Sequence, residues 1–196
     1  KEIVQYFMFL NQIQWQGGEV FSLDYFEDLF DAASRFPNLR QDIVTNGLLV
    51  DEKWAKKIVE TKTNITYSID GVTKGTYEHI RRGARFDDLI KNIKTFNKHR
   101  NEYRAGADLP SEQGTVMNFV VMGSNYHEIE KALDFAIEYE FDCLAFMPII
   151  GVTDKENIFL HDDTEAFMYI KKVMPRLVEK AKKYGRLLKS PEMLLD

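Results

Sequence analysis

The 196-residue sequence is long enough to bury one sizeable core, and its apolar residues (44%) are spread evenly, which predicts a single domain over residues 1–196. A formal net charge of −5 disfavours a surface for nucleic acid or for an anionic membrane, so neither is expected as a partner. No apolar stretch approaches the roughly 20 residues of a membrane span, and the N-terminus lacks a signal-peptide layout, which predicts a cytoplasmic protein. Cys143 is the only cysteine, which excludes a disulfide framework and a metal or cluster site built from cysteines of this chain alone.

Strand-like and helix-like segments alternate along the chain. The strand-like runs are short, apolar or β-branched, and mostly bounded by turn residues. Five strands are predicted, at residues 12–16, 42–45, 64–69, 115–122 and 143–147. Apolar side chains recur at helical spacing between them. Six helices are predicted. One ends near Leu10, a second begins at Ser22 or Asp24, and a third begins at Asp51. The others span Phe86 to about Tyr103, follow Gly123, and span about Asp163 to Tyr184.

The connections between these segments determine the fold class. Strand-helix units joined by crossovers imply parallel strands with helices outside and a sheet that curves toward a barrel, which is an α/β fold. The longest loop is expected at residues 104–114, and the last helix contains Pro175 and stops at Gly185. The first helix-like segment starts at Lys1 without a cap, as though cut from a longer chain.

Polar residues follow each predicted strand, where a parallel sheet binds its ligands. These turns are Gly17-Gly18-Glu19, Thr45-Asn46-Gly47, Ser68-Ile69-Asp70-Gly71, Gly123-Ser124-Asn125 and Pro148-Ile149-Ile150-Gly151. Glycines let a ligand approach the backbone, and the Glu19 carboxylate suits a cationic group. Glu19, Ser68 and Asp70 offer acceptors for an ammonium group and for ribose hydroxyls, which indicates a polar small-molecule site. The alternative is a set of ordinary strand-to-helix turns, which favour the same residue types.

Other chemistry has weaker support. The four histidines have no metal-ligand spacing, so no metal site and no catalytic residue is predicted. They are His79, His99, His127 and His161. The turns contain no nucleophile-base pair, which weakens a phosphate-binding barrel enzyme of another kind. Tyr67, Phe119 and Phe146 could line the barrel interior or form plain core.

The order and spacing of the turns resemble the core of a radical S-adenosylmethionine (radical SAM) protein. The similarity runs from about Glu2 to Gly151 and is most specific between Ser68 and Ile93, where Tyr77-Glu78-His79-Ile80-Arg81-Arg82-Gly83 precedes a helix opened by Phe86. The resemblance implies a partial (β/α)6 barrel whose first βα unit is missing. Family members bind S-adenosylmethionine against a [4Fe-4S] cluster and cleave it reductively to a 5′-deoxyadenosyl radical. Residues from about 152 to 196 then resemble a C-terminal helix and a linker toward an extension.

The resemblance implies a set of cofactor-binding residues. Gly18 and Glu19 would hold the methionine amino group. Ser68 and Asp70 would face the ribose or the methionine carboxylate. The full set is Gly17, Gly18, Glu19, Asn46, Ser68, Asp70, Arg81, Arg82, Asn125 and Ile149.

Two parts of this set carry further assignments. Arg81 or Arg82 would pair with the methionine carboxylate through the guanidinium fork, and the alternative for each is a surface salt bridge. Asn125 and the stretch around Ile149 would lie near the adenine.

The sequence departs from the family at its cluster-binding loop. The family's Cys-x3-Cys-x2-Cys motif is missing together with the strand before it, and Cys143 alone cannot replace three converging thiolates. The chain is therefore expected to be a fragment of a longer radical SAM modifying enzyme that by itself binds neither cofactor and is inactive. A non-catalytic binding or assembly module on the same scaffold is the alternative. The substrate, a peptide or a small molecule, is not revealed.

Self-association is also expected. Without the family's first strand, residues 12–16 would form an unpaired edge carrying Ile13 and Trp15. Residues 142–147 would form a second open edge. Exposed edges tend to pair with other chains.

Overall fold

The structure is a computed structural model that describes residues 2–106, 113–151, 155–161 and 164–191. In these residues six parallel strands alternate with six α-helices, which confirms the predicted α/β class. The strands are β1 (Gln12–Trp15), β2 (Arg40–Thr45), β3 (Asn64–Ser68), β4 (Thr115–Val121), β5 (Cys143–Pro148) and β6 (Leu187–Lys189). The helices are α1 (Phe26–Ala33), α2 (Glu52–Glu60), α3 (Lys74–Ile80), α4 (Phe86–Ala105), α5 (Ile129–Glu138) and α6 (Glu165–Lys183). No helix among the described residues is both long enough and apolar enough to cross a membrane.

The chain divides into two compact units, the first formed by residues 1–67 and 88–115. Its strands pair in the order β1, β2, β3, with Trp15 opposite Ile43 and Thr45 opposite Tyr67. An aromatic cluster packs beside them, because Trp15, Phe26 and Trp54 stack or meet edge to face within 5.5 Å between ring centroids. The first unit thus has a core of its own, which includes the end of β1.

The second unit consists of residues 68–87 and 116–196. Its strands pair in the order β4, β5, β6, with Val121 opposite Pro148 and Cys143 opposite Leu187. Helices α5 and α6 bury apolar stripes, and the Glu130 carboxylate accepts hydrogen bonds from Arg176 and Tyr169 across them. The single-domain expectation remains a prediction.

Several predicted boundaries agree with the structure. The Asp51 carboxylate caps α2 by accepting from the backbone N–H of Trp54 at 2.9 Å, and Gly185 ends α6 with φ +64°. Pro175 lies inside α6. The predicted loop at 104–114, the helix start near Asp163 and the linker through residue 196 lie partly outside the described residues.

Some local features differ from the predictions. Residues 3–9, where the end of a helix was predicted without its type, form a 3₁₀ helix. Neither Ser22 nor Asp24 caps α1, since a separate 3₁₀ turn, Val20–Ser22, comes before it and is capped by Glu19. Helix α3 was not predicted, because its seven residues are too few to show a helical period. Strand β6 was missed as well, because it has only three residues and no β-branched side chain, so the sheet has six strands instead of five.

The sheet edges also differ from expectation. Residues 142–147 are not an open edge, because β5 pairs with β6 through Cys143 and Leu187. Trp15 does not lack a neighbour either, since the rings of Phe7 and Phe26 meet it edge to face and leave it 9% exposed. Exposed apolar side chains lie instead in the segment before β1, where Tyr6, Met8 and Phe9 are 57–75% exposed.

Candidate functional site

Two consecutive glycines end β1 in the first unit. Gly17 and Gly18 have φ angles of +112° and +59°, a left-handed region that side chains with a Cβ rarely adopt. Both are exposed, and a Cβ on either would meet no atom of the chain within 4 Å. The backbone of this turn is therefore open to an approaching ligand.

Glu19 follows these glycines and links the ends of β1 and β2. Its carboxylate accepts hydrogen bonds from Thr45 Oγ1 at 2.9 and 3.0 Å and from the backbone N–H of Asn46 at 2.9 Å. It also caps the following 3₁₀ turn by accepting from the backbone N–H of Phe21 at 3.4 Å. A carboxylate offers about four acceptor positions, so three donors leave capacity for a further one. The half-buried Glu19 side chain is thus held in one orientation beside an open backbone.

The turn after β2 is shaped by close packing. The Asn46 side-chain oxygen accepts from the backbone N–H of Leu48 at 2.9 Å, which forms a local turn. Gly47 has φ +82°, and a Cβ there would lie 2.7 Å from Cδ1 of Tyr67 and 2.8 Å from Cδ1 of Leu89. This glycine is required by packing, and Asn46 is presented at a fixed place as a result.

In the second unit, Asp70 lies beyond the end of β3 and is 8% exposed. One carboxylate oxygen accepts from Arg81 Nη2 at 2.6 Å, and the other accepts from the backbone N–H of Val120 at 3.1 Å. Asp70 therefore ties the end of α3 to β4. Ser68, two residues earlier, is half-buried at the C-terminal end of β3.

The two predicted arginines have different environments. Arg81 is engaged with Asp70, whereas Arg82 is exposed. Beside them the Tyr77 hydroxyl and Arg81 Nε are buried and have no hydrogen-bond partner among the described residues. Burial raises the pKa of Tyr77, against the opposing influence of Arg81. Of the pair, Arg82 is the exposed cation, and a contact between Arg82 and an added anion would leave the Asp70–Arg81 contact intact.

Asn125 and Ile149 follow β4 and β5 in the second unit. Asn125 is fully buried, and its amide nitrogen donates to the carbonyl oxygens of Asp70 and Val120 at 2.8 Å each. Its side-chain oxygen accepts from the backbone N–H of Met122 at 2.7 Å. Every donor of this amide is used inside the protein, so Asn125 shapes the turn through its side chain. Ile149 is half-buried just beyond β5.

Glu128 belongs to the same region and was not identified from sequence. It is 1% exposed, and its carboxylate accepts from the backbone N–H of Val72 and from Thr76 Oγ1 at 2.8 Å each, and from Thr73 Oγ1. Burial raises the pKa of Glu128, but these hydrogen bonds outweigh it and hold that pKa below its usual range. A glutamate next to the apolar stripe of a helix is ambiguous in a sequence, since most such side chains reach solvent.

A cavity of about 750 Å³ opens beside the β4 turn in the second unit. Its wall includes Gly123, Ser124 and Tyr126 after β4, together with His79 at the end of α3. The remaining described lining residues are Lys155, Glu156, Asn157, Ile158, Leu160, His161, Thr164, Glu165 and Ala166. The cavity thus has a mixed polar and apolar wall.

The chain's own residues do not fit an iron–sulfur cluster. Cys143 is buried in β5, and burial raises the pKa of its thiol, which disfavours the thiolate that binds iron. No group of three or more His, Cys, Asp or Glu side chains within the described ranges is arranged to hold a metal ion. The open Gly17-Gly18 backbone and the Glu19 carboxylate do fit a ligand carrying an ammonium group.

Comparison with known proteins adds evidence for the fold and the family. The cysteine-type anaerobic sulfatase-maturating enzyme of Clostridium novyi (strain NT) is 26% identical over 146 aligned residues, in a match that covers 69% of this chain and 36% of that protein. The solved structure of native anSMEcpe with bound AdoMet (S-adenosylmethionine) has a TM-score of 0.68 at 20% identity, over 96% of this chain and 52% of that one. The structure of Streptococcus suis SuiB bound to precursor peptide SuiA has a TM-score of 0.63 at 19% identity, over 92% of this chain and 38% of that one. These likenesses confirm the fold of a partial (β/α)6 barrel.

The matches cover only part of each relative, because the chain spans between about a third and a half of their lengths. The family model described as the radical SAM superfamily matches residues 1–136, which is more than half of the chain. On that match the chain belongs to the radical SAM superfamily.

Proposed function

We propose that this chain is the S-adenosylmethionine-binding core of a radical SAM modifying enzyme. The observation that carries the proposal is the Glu19 carboxylate, held by Thr45 and Asn46 beside the open backbone of Gly17 and Gly18. The family implies the chemistry: a [4Fe-4S] cluster, where bound, would supply the electron for reductive cleavage of S-adenosylmethionine to methionine and a 5′-deoxyadenosyl radical. Because this sequence has one cysteine, which is buried, the enzyme proposal requires that the cluster thiolates come from other residues.

The first unit binds the methionine amino group. Glu19 accepts a hydrogen bond from the ammonium group at its remaining acceptor position, and charge makes this bond stronger than a neutral one. Gly17 and Gly18 let the ligand approach the backbone. Asn46 donates its backbone N–H to Glu19 and so keeps the carboxylate in place before the ligand arrives.

In the second unit the proposed cofactor-binding residues are Ser68, Asp70 and the two arginines. Ser68 offers a hydroxyl to the ribose or to the methionine carboxylate. Arg82 pairs with that carboxylate, because Arg81 is already engaged with Asp70 and serves to hold it. Asn125 shapes the adenine side through the turn that it closes, and Ile149 supplies an apolar contact there.

The substrate that this proposal favours is a peptide. Support comes from the similarity to SuiB, whose structure is bound to a precursor peptide, and to a sulfatase-maturating enzyme. The cavity beside the β4 turn offers about 750 Å³ with both polar and apolar walls, which suits side chains of mixed character. We place the substrate, or a part of it, in this cavity.

The alternative proposal is a non-catalytic binding or assembly module, which the absence of a three-cysteine set in this sequence favours. The reading frame of the whole protein separates the two. The enzyme proposal expects Cys-x3-Cys-x2-Cys upstream of Glu19, at about 25 to 40 residues, the length of one βα unit. A whole protein without that motif would support the module instead.

Binding tests the site itself. The 196-residue chain alone is expected to bind S-adenosylmethionine weakly or not at all, and the whole protein with its cluster is expected to bind it well. In the whole protein Glu19→Ala should weaken binding by about tenfold or more, since a hydrogen bond to a charged group is lost. Glu27→Ala is the control, because Glu27 pairs with Lys53 and Lys57 instead. Tight binding that Glu19→Ala leaves unchanged would refute the role of Glu19.

A further inference from the structure

The turn between β3 and α3 is held by a carboxylate from another turn of the second unit. Glu128 lies at the end of the 3₁₀ turn that follows β4, yet its three described hydrogen-bond donors belong to Val72, Thr73 and Thr76. A buried carboxylate is costly unless it is fully hydrogen bonded, so this arrangement is a specific feature of the turn. Glu128, which lies outside α3, thus stabilises the first turn of this helix through hydrogen bonds.

Helix α3 needs this contact because it lacks a cap of its own. Thr73 is its N-cap residue, but the Thr73 side chain makes no capping hydrogen bond within the helix and donates to Glu128 instead. The helix has seven residues, too few for its own hydrogen bonds to stabilise it. Without Glu128 the backbone N–H of Val72 and the Thr76 hydroxyl would lose this acceptor, and the Thr73 hydroxyl would keep only Thr76 Oγ1, at 3.2 Å.

The turn between β3 and α3, which Glu128 binds, is adjacent to candidate ligand-binding residues. Asp70 comes two residues before Val72, and Arg81 directly follows α3 and pairs with Asp70 at 2.6 Å. Asn125, three residues before Glu128, donates to the Asp70 carbonyl oxygen at 2.8 Å. The turn after β4 therefore forms hydrogen bonds with the turn after β3 on both sides of Gly71, at the Asp70 carbonyl oxygen and at the Val72 backbone N–H.

Gly71 leaves this turn little freedom to move. A Cβ on Gly71 would lie 2.6 Å from the backbone nitrogen of Tyr77, so the turn packs directly against the backbone of α3. Because of this close packing, a displacement of the turn should also displace α3 and the two arginines that follow it.

We propose that Glu128 is a positioning residue for the candidate S-adenosylmethionine-binding groups of the second unit. It sets the places of Asp70, Arg81 and Arg82 without contacting the ligand. This inference rests on the proposed function for the identity of the ligand. The hydrogen-bond pattern that carries it is independent of that identity.

The test compares Glu128→Gln and Glu128→Ala with Glu130→Gln in the whole cluster-bearing protein. Glu130 is a matched control, since it lies on α5 and bonds Tyr169 and Arg176 of α6, not the α3 turn. The first measurement is amide hydrogen exchange, which should speed up at residues 71–77 in both Glu128 variants and not in the control. The second is calorimetry with S-adenosylmethionine, in which Glu128→Ala should bind about threefold to thirtyfold more weakly, the range for residues that act without contact.

The conservative variant separates positioning from simple loss of structure. Glutamine keeps one acceptor for the backbone N–H of Val72 and an amide for the rotatable threonine hydroxyls, so Glu128→Gln should recover part of the affinity. If Glu128→Ala does not fold, Glu128→Gln carries both measurements against Glu130→Gln. Unchanged exchange at 71–77, or unchanged affinity despite faster exchange, overturns the positioning role. If the unmutated protein binds no S-adenosylmethionine, the proposed function fails, and the exchange data alone then show whether Glu128 holds the turn.

Discussion

Gly47→Ala should destabilise the first unit more than Gly18→Ala, although both glycines have positive φ angles. Alanine in the left-handed region costs about 1–2 kcal/mol at either position. At Gly18 the new methyl group meets no atom within 4 Å, so that cost is the whole effect. At Gly47 the methyl group would lie 2.7 Å from the Tyr67 ring and 2.8 Å from Leu89.

The neighbours of Gly47 have little room to yield. Tyr67 and Leu89 are 1% and 0% exposed, so neither side chain can swing into solvent. Overpacking of this kind costs about 1–3 kcal/mol. The free energy of unfolding should therefore fall by about 2–5 kcal/mol in Gly47→Ala and by about 1–2 kcal/mol in Gly18→Ala.

Urea unfolding followed by tryptophan fluorescence is a suitable assay. The two tryptophans, Trp15 and Trp54, both belong to the aromatic cluster of the first unit. Their signal reports on the unit that contains both glycines. Equal losses of stability in the two variants would show that the close contacts at Gly47 do not constrain this turn.

Three further predictions concern Glu128, the cluster and assembly. The pKa of Glu128 is lower in the folded protein than in the unfolded chain, so the contribution of Glu128 to stability is full above the ordinary glutamate pKa and is lost as pH falls through the folded-state pKa. The difference in stability between the unmutated protein and Glu128→Gln should therefore shrink in acid. A constant difference down to about pH 3 would contradict this. Anaerobic reconstitution of the 196-residue chain with iron and sulfide should give no cluster absorbance, because Cys143 is its only cysteine, and a stable stoichiometric [4Fe-4S] signal would refute this. The chain should also self-associate through the β1 edge and the exposed Tyr6, Met8 and Phe9, whereas light scattering that shows a monomer of 22.9 kDa at high micromolar concentration would disprove it.

The sequence by itself determined the alternation of strands and helices and the turns that could bind a ligand. Periods of two and of about 3.6 residues are local signals, and so are glycine turns and the Asp51 cap. Such features can be predicted from sequence because they depend on no residue distant in the chain. For the same reason the segments too short to show a period, α3 and β6, were missed.

Only the tertiary structure decided what each polar side chain of the candidate site does. Glu19 is oriented by Thr45, 26 residues away, and Arg81 rather than Arg82 is paired with Asp70. Asn125 is buried with its amide fully used, and Glu128 reaches across to a turn 52–56 residues earlier. Hydrogen bonds of this kind join residues that are distant in the chain, and their geometry is set by packing between elements, so no local pattern records them.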